Sequence, residues 1–364
     1  MARRAHNFSA GPAVLPVPVL EEIQRDLLCL PGVGASILEI SHRSRPFAQI
    51  LQQAEADLRS LLSIPEDYAV LFLQGGSRLQ FSMVPMNLLG ERFNSAAYIV
   101  TGSWGKHAAS EARKETTVEV AWNGQSTNFD RVPQEHQLQI NPTAGYVHFT
   151  SNETIQGVQF ATEPKVGDIP LICDASSDFL CRPLPIKKYG LIYACAQKNA
   201  GPAGVTVVII RRDLLERSRD SLPGYLNYKA HADANSLMNT APTFAVYAVG
   251  LVARWLQNEI GGLENMLERN RLQAKLLYDV LDDSVGFYTG HAQPDCRSLM
   301  NVTFNLPDDS LTAAFLAEAE EHDMISLKGH RSVGGIRASI YNAMSTTGVE
   351  QLAKFMTDFR NRNR

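Results

Sequence analysis

The chain has 364 residues, 45% hydrophobic and 20% charged, enough for a large domain and a smaller one of ordinary globular composition. Its formal net charge is −4, so no polyanion field is built in, which excludes nucleic acid as the main partner. Five cysteines, Cys29, Cys173, Cys181, Cys195 and Cys296, are scattered and form no CxxC pair, which argues against a disulfide framework and a structural metal.

The opening MARRAHNFSAGPAVLP has two arginines but no apolar stretch of the kind a secretory signal needs. Short apolar runs then follow at Ala69–Leu73, Ala97–Thr101, Tyr146–Thr150, Leu171–Cys173, Leu191–Ala194 and Val205–Ile210. They are partly β-branched and bounded by Gly, Asn, Asp or Ser, which predicts buried strands. Helical patterns lie between several of them, as at Gln80–Leu89 and Gly105–Glu115. This alternation predicts a mainly parallel sheet with helices on both faces. The loop AQKNAGPAG between the last two runs is short enough for a hairpin, so one antiparallel strand is expected. Past Leu222 the pattern gives helices at Pro242–Glu259 and Leu263–Leu281, a strand at Leu299–Asn305 and a helix at Leu311–His322. A strand at Gly335–Ile340 and a helix at Val349–Phe359 close the chain. The tail reads as a second α/β domain beginning near residue 260. No run approaches the ~20 apolar residues of a membrane span, and a cytoplasmic location with no membrane partner is expected.

Asp174 ends one apolar run, and Lys198 follows another and opens the loop NAGPAG. Ligands of open α/β sheets bind off the carboxyl ends of strands. Pyridoxal phosphate needs a lysine to form an imine and a carboxylate facing its ring nitrogen. A capping aspartate and a surface lysine are the plainer alternative. Gln74-Gly75-Gly76-Ser77-Arg78 joins a strand to a helix start and is either a phosphate cradle or a simple tight turn. Trp104 could stack on a cofactor ring or belong to the core. Thr154, in SNETIQG, could bond a ring oxygen or cap a turn. Asn239 and Thr240 precede a long helix and read as an N-cap or as phosphate ligands. His42 and Arg43 lie early; Lys328, His330, Arg331 and Arg337 lie late. Such clusters are solvated surface or an anion pocket. Arg337 falls inside an apolar strand, where a buried guanidinium needs an anion to offset its desolvation.

Together the stretches NFSAGPAVLP, EISHRS, LQGGSRLQF, GSWG, SNETIQG, AQKNAGPAG, SLMNTAPTF and KGHRSVGGIRASIYNAM resemble the phosphoserine aminotransferase family, in order and from residue 7 to 344. The resemblance implies the type I fold of the pyridoxal-phosphate transferases. A mostly parallel seven-stranded sheet would form a large cofactor-binding domain at 15–260. A smaller C-terminal α/β domain would occupy 261–364, with residues 1–14 packing near the active site. It implies transamination of 3-phosphohydroxypyruvate with L-glutamate, giving O-phospho-L-serine and 2-oxoglutarate in serine biosynthesis. Bacterial relatives also form 4-phosphohydroxy-L-threonine for pyridoxine.

By the same resemblance Lys198 is the imine lysine and proton shuttle, Asp174 the partner of the ring nitrogen, Trp104 the stacking residue and Thr154 the neighbour of the ring hydroxyl. Ser77, Arg78 and Gln197 match cofactor-binding positions. Asn239 and Thr240 match residues that reach the phosphate from the second subunit of a homodimer. Arg337 resembles the α-carboxylate clamp, and His42, Arg43, His330 and Arg331 the pocket for the distal anion. The chain departs from the family pattern at Ala10, Ser77, Cys195 and Ala241, and Ser77 touches the phosphate turn. An alanine–glyoxylate aminotransferase would not need the His/Arg clusters, and a cysteine desulfurase would need a nucleophilic cysteine that Cys296 does not provide. A non-catalytic relative would be expected to have lost the lysine or the aspartate. A nucleotide-binding dehydrogenase lacks its glycine fingerprint here.

Overall fold

The computed structural model describes residues 4–89 and 92–363. Residues 1–3 of the expected N-terminal segment and residue 364 of the expected second domain lie outside the described residues.

Helices α1 (Val17–Asp26) and α2 (Arg45–Leu62) come first. Then follow β1 (Tyr68–Leu73), α3 (Gly76–Leu88), β2 (Ser95–Val100), α4 (Ser103–Ala112), β3 (Thr117–Asn123), β4 (Val147–Thr150), β5 (Leu171–Asp174), β6 (Leu191–Cys195) and β7 (Thr206–Arg211). These seven strands form one sheet in the order β1-β7-β6-β5-β4-β2-β3. Only β7 runs against its neighbours, pairing antiparallel with both β1 and β6; the remaining pairs are parallel. The mostly parallel seven-stranded sheet and the hairpin across AQKNAGPAG are thus as the sequence indicates.

The strands read as unbroken apolar runs because both faces are covered. In β1, Tyr68, Val70 and Phe72 join the core against α2 and α5 (Thr243–Asn258), while Ala69, Leu71 and Leu73 face the core against α3 and α4. The remaining chain supplies α6 (Leu263–Asp282), β8 (Asn301–Asn305), α7 (Asp309–Glu321), β9 (Ile336–Ser339) and α8 (Thr346–Asn363). Strands β8 and β9 pair antiparallel, with Thr289–Gly290 on the other side of β8. Their core is a separate aromatic cluster that includes Phe304, Phe315, Phe355 and Phe359. The chain start belongs to this half: His6–Asn7 pairs in parallel with Met324–Ile325, and Ser339 N donates to Phe8 O at 3.2 Å.

Several boundaries differ from the sequence reading. Helix α3 begins at Gly76, four residues before Gln80, because the glycine turn is itself the first helical turn. Strand β8 starts at Asn301 rather than Leu299. Strand β3, with a mainly half-exposed or exposed burial pattern, has no apolar run to betray it. Helix α5 starts at Thr243 with Pro242 as its N-cap, so Asn239 and Thr240 do not cap it.

Candidate active site

The parallel strands deliver their carboxyl ends to one edge of the sheet. Thr150 ending β4 is in register with Asp174 ending β5, and Leu73 of β1, Thr206 of β7 and Cys195 of β6 fall in one row. The segments after β1, β2, β4 and β6 therefore meet there, as the strand-end rule requires. They enclose a cavity of about 430 Å³ whose walls include Ser77, Arg78, Trp104, Thr154, Asp174, Gln197, Lys198, His330 and Arg337. Residues from both ends of the sequence thus converge on one site.

Lys198 Nζ donates to Thr154 Oγ1 at 2.7 Å and lies 5.5 Å from the Trp104 ring centroid. Arg78 Cζ is 5.9 Å from the same ring. Asp174 is 3% exposed; its Oδ1 accepts from Ser176 N at 3.0 Å and from Ser176 Oγ at 2.5 Å. Burial pushes the Asp174 carboxyl up, and its bonds to Ser176 and the charge of Lys198 oppose this only in part. Gly75 precedes α3 at φ +95°, a conformation that favours glycine, and a Cβ there would lie 2.5 Å from Leu79 Cδ2. Its glycine geometry leaves the first amides of α3 free beside the cavity.

The opposite wall comes from the second half of the chain. Arg337, in β9, is largely buried, and burial holds its guanidinium below the usual range. No carboxylate pairs with it among the described residues. Its unbalanced charge marks a site for an anion. His330 shares a 2.7 Å bond between Nδ1 and Ser332 Oγ; burial first, then Arg337 and Arg331, push its pKa down.

Five expected site residues do not line this cavity. His42 and Arg43 lie just before α2, with Arg43 Nε donating to His42 Nε2 at 3.3 Å. Arg331 is exposed. Asn239 and Thr240 sit beside Gln74, whose Nε2 donates to Thr240 O at 2.9 Å and whose Oε1 accepts from Asn239 Nδ2 at 3.4 Å. Conversely, Thr150, Asn152, Ser176, Ala10 and Gly11 line it without having been singled out in the sequence. Ser176 was within reach, two residues after Asp174; the others lie far from the lysine in sequence. Among the described residues no three of His, Cys, Asp and Glu gather as a metal site.

The model of the class-V aminotransferase family matches residues 5–352. A phosphoserine aminotransferase of Rhodopirellula baltica is 58% identical over 361 residues, covering 99% of this chain and 96% of its own length. One from Desulfosudis oleivorans is 52% identical over the full length of both chains. Among solved structures, phosphoserine aminotransferase from Bacillus circulans subsp. alkalophilus superposes with a TM-score of 0.97 at 45% identity and full coverage of both. The pyridoxal-phosphate-bound enzyme of Trichomonas vaginalis gives 0.92 at 38% identity, covering 97% of this chain and all of its own. With its sheet, its lysine–aspartate pair and these relatives, this chain belongs to the phosphoserine aminotransferase family of class-V aminotransferases.

Proposed function

We propose that this aminotransferase exchanges an amino group between L-glutamate and 3-phosphohydroxypyruvate, giving 2-oxoglutarate and O-phospho-L-serine, with the roles for its residues set out here. The observation that carries the reading is one cavity lined by Lys198, Asp174 and Trp104 together with His330 and with Arg337, whose guanidinium no carboxylate pairs with among the described residues.

The residues present fit pyridoxal phosphate. Trp104 Nε1, Thr150 Oγ1 and Asn152 Oδ1 are buried around the cavity with no hydrogen-bond partner among the described residues, as befits a site shaped for a polar ring compound. Bound there, pyridoxal phosphate supplies an electron-withdrawing ring that makes the substrate Cα–H acidic and carries the amino group between half-reactions.

Everything else is the protein's work. The Lys198 amine takes the proton from Cα and returns it on the far side of the transfer. Asp174 would hold a proton at the ring nitrogen as a carboxylate; burial opposes that ionisation, and the bonds from Ser176 and the charge of Lys198 favour it. The Trp104 indole would wall one ring face, and Thr154 Oγ1, here bonded to Lys198, would bond the ring oxygen. Ser77, Arg78 and the amides opening α3, with Gln197 beside them, hold the phosphate.

Arg337 takes the α-carboxylate in a two-pronged hydrogen bond. His330 and Arg331 take the distal anion, a carboxylate in glutamate and a phosphate in phosphoserine. His42 and Arg43, away from their own cavity, serve this role from a second subunit, as do Asn239 and Thr240 toward the phosphate. The protein is then a homodimer with shared sites. Among the described residues no helix is long and apolar enough to cross a membrane; the cytoplasmic placement is part of this proposal, and the separate aromatic core of the second half supports the division near residue 260.

The decisive experiment is a visible spectrum of the purified protein, with and without L-phosphoserine or L-alanine, beside Lys198→Ala. A cofactor band that phosphoserine discharges and alanine leaves intact is expected, with no such band in the variant. A band untouched by phosphoserine overturns the substrate; no band after adding pyridoxal phosphate overturns the site.

A further inference from the structure

Helix α4 carries Trp104 in its first turn, yet its N-cap is Gly102, which has no side chain to satisfy the opening amides. They are satisfied from another element. Glu153, at the start of the hairpin formed by Asn152–Glu153 and Val158–Gln159, accepts from Trp104 N through Oε2 at 2.9 Å and from Gly105 N through Oε1 at 2.8 Å. Gln156 of the same hairpin accepts from Ser103 N at 3.3 Å and donates to Ser103 Oγ at 2.9 Å. Three consecutive amides are thus gripped by one short hairpin. A Cβ on Gly102 would lie 2.4 Å from Glu153 Cδ, so the glycine that cannot cap the helix is what admits the carboxylate.

Glu153 is completely buried, and no cation pairs with it among the described residues. The indole has no hydrogen bond of its own among the described residues, since Trp104 Nε1 is buried and unpartnered. With no such bond to orient it, the ring depends on the backbone at 103–105 and on packing against Arg78, His107 and Lys198. Thr154, the next residue after Glu153, holds Lys198 Nζ. One hairpin therefore sets both the wall and the lysine.

We propose that Glu153 is a positioning residue: through the first turn of α4 it fixes the Trp104 indole against the cofactor ring. This rests on the reading of the cavity as a pyridoxal-phosphate site. Burial pushes the Glu153 carboxyl up to about 7 against the pull of the two amides. A carboxyl buried at that cost is a poor device for stability alone, whereas bonds from one carboxyl to two successive amides fix a geometry well.

The test is a double-mutant cycle on the full chain, stripped of cofactor and titrated with pyridoxal phosphate. Glu153→Gln keeps the shape but turns an N–H donor toward one amide; it is expected to weaken cofactor binding about tenfold. In a Trp104→Ala background the same change is expected to cost less than about twofold, because the residue it positions is gone. At saturating cofactor, Glu153→Gln and Trp104→Ala are expected to alter the visible circular dichroism of the bound cofactor in the same direction. Gly102→Ala, which crowds the same carboxylate while leaving its charge, is expected to reproduce the loss. Additive costs, or unchanged dichroism in Glu153→Gln, overturn the positioning role. Failure of the unmutated chain to bind pyridoxal phosphate overturns the site reading beneath it.

Discussion

The Ser77 hydroxyl lies 2.5 Å from that of Ser176, and Ser176 Oγ in turn bonds Asp174 Oδ1 at 2.5 Å. The glycine turn before α3 and the buried Asp174 carboxyl are thus joined by two hydroxyls. Ser77 Oγ also accepts from Cys195 N at 3.1 Å, so the hydroxyl ties the turn to the end of β6 as well. Removing the hydroxyl with Ser77→Ala leaves a buried amide with only the longer 3.5 Å contact to Ser176 Oγ. The expected cost is about 1 kcal/mol, seen as a lower urea midpoint at unchanged slope. An unshifted midpoint would show that the linkage contributes nothing.

Arg337 and His330 should separate the two ends of the substrate. Every amino-acid substrate has the α-carboxylate that Arg337 is proposed to take, so Arg337→Ala is expected to lower kcat/KM for phosphoserine and glutamate alike, by roughly 30-fold for lost charge-assisted bonds. His330→Ala should lower it more for phosphoserine than for glutamate, since only one distal group is a phosphate. Steady-state kinetics with both donors decide it: equal losses in His330→Ala would remove that residue from the distal pocket.

Glu153 gives stability a pH dependence of known sign. Its carboxyl is raised from 4.5 to about 7 in the folded chain, with burial the cause. Between those values the folded chain keeps a proton that the unfolded chain has lost. Its contribution is therefore full below 4.5 and disappears as pH rises through about 7. The charged groups that act on it are Asp174 from β5 and Lys198 from the loop after β6. Without cofactor, the melting temperature of the unmutated chain relative to Glu153→Gln is expected to fall from pH 5 to pH 8. A difference independent of pH would contradict the buried, titrating carboxyl.

The proposed sharing of active sites between two subunits predicts complementation between inactive chains. A Lys198→Ala chain and an Arg43→Ala chain, unfolded and refolded together, form mixed dimers in which one site has an intact lysine and an intact arginine. About a quarter of full activity is expected from random pairing in a twofold dimer. If the mixture stays inactive, Arg43 serves its own chain's site or none.

The sequence made visible what depends on local pattern. Runs such as Val205–Ile210 are apolar throughout because their strands are covered on both faces, and a lysine and an aspartate following such runs fall at the binding edge. Arg337 was legible for the same reason, as a charge inside an apolar strand. Strand β3 was not, because its outer position leaves it half polar. The positions of His42, Arg43, Asn239 and Thr240 outside their own cavity depend on how distant segments fold together, which spacing does not encode. Glu153 was hidden for a related reason: its partners, Trp104 and Gly105, are supplied by a different strand–helix connection, and nothing in SNETIQG alone reveals them.

The chain start is hydrogen-bonded to both halves of the molecule. Asn7 is paired with Ile325, and Phe8 O accepts from Ser339 N in the strand that carries Arg337. Five residues on, Ala13 N donates to Gln197 O, next to the lysine. Between these two anchors lie Ala10 and Gly11, part of the cavity wall. The segment is a strap slung between the strand of Arg337 and the lysine loop, so any displacement of the small sheet relative to the large one would carry the wall at Ala10 and Gly11 with it.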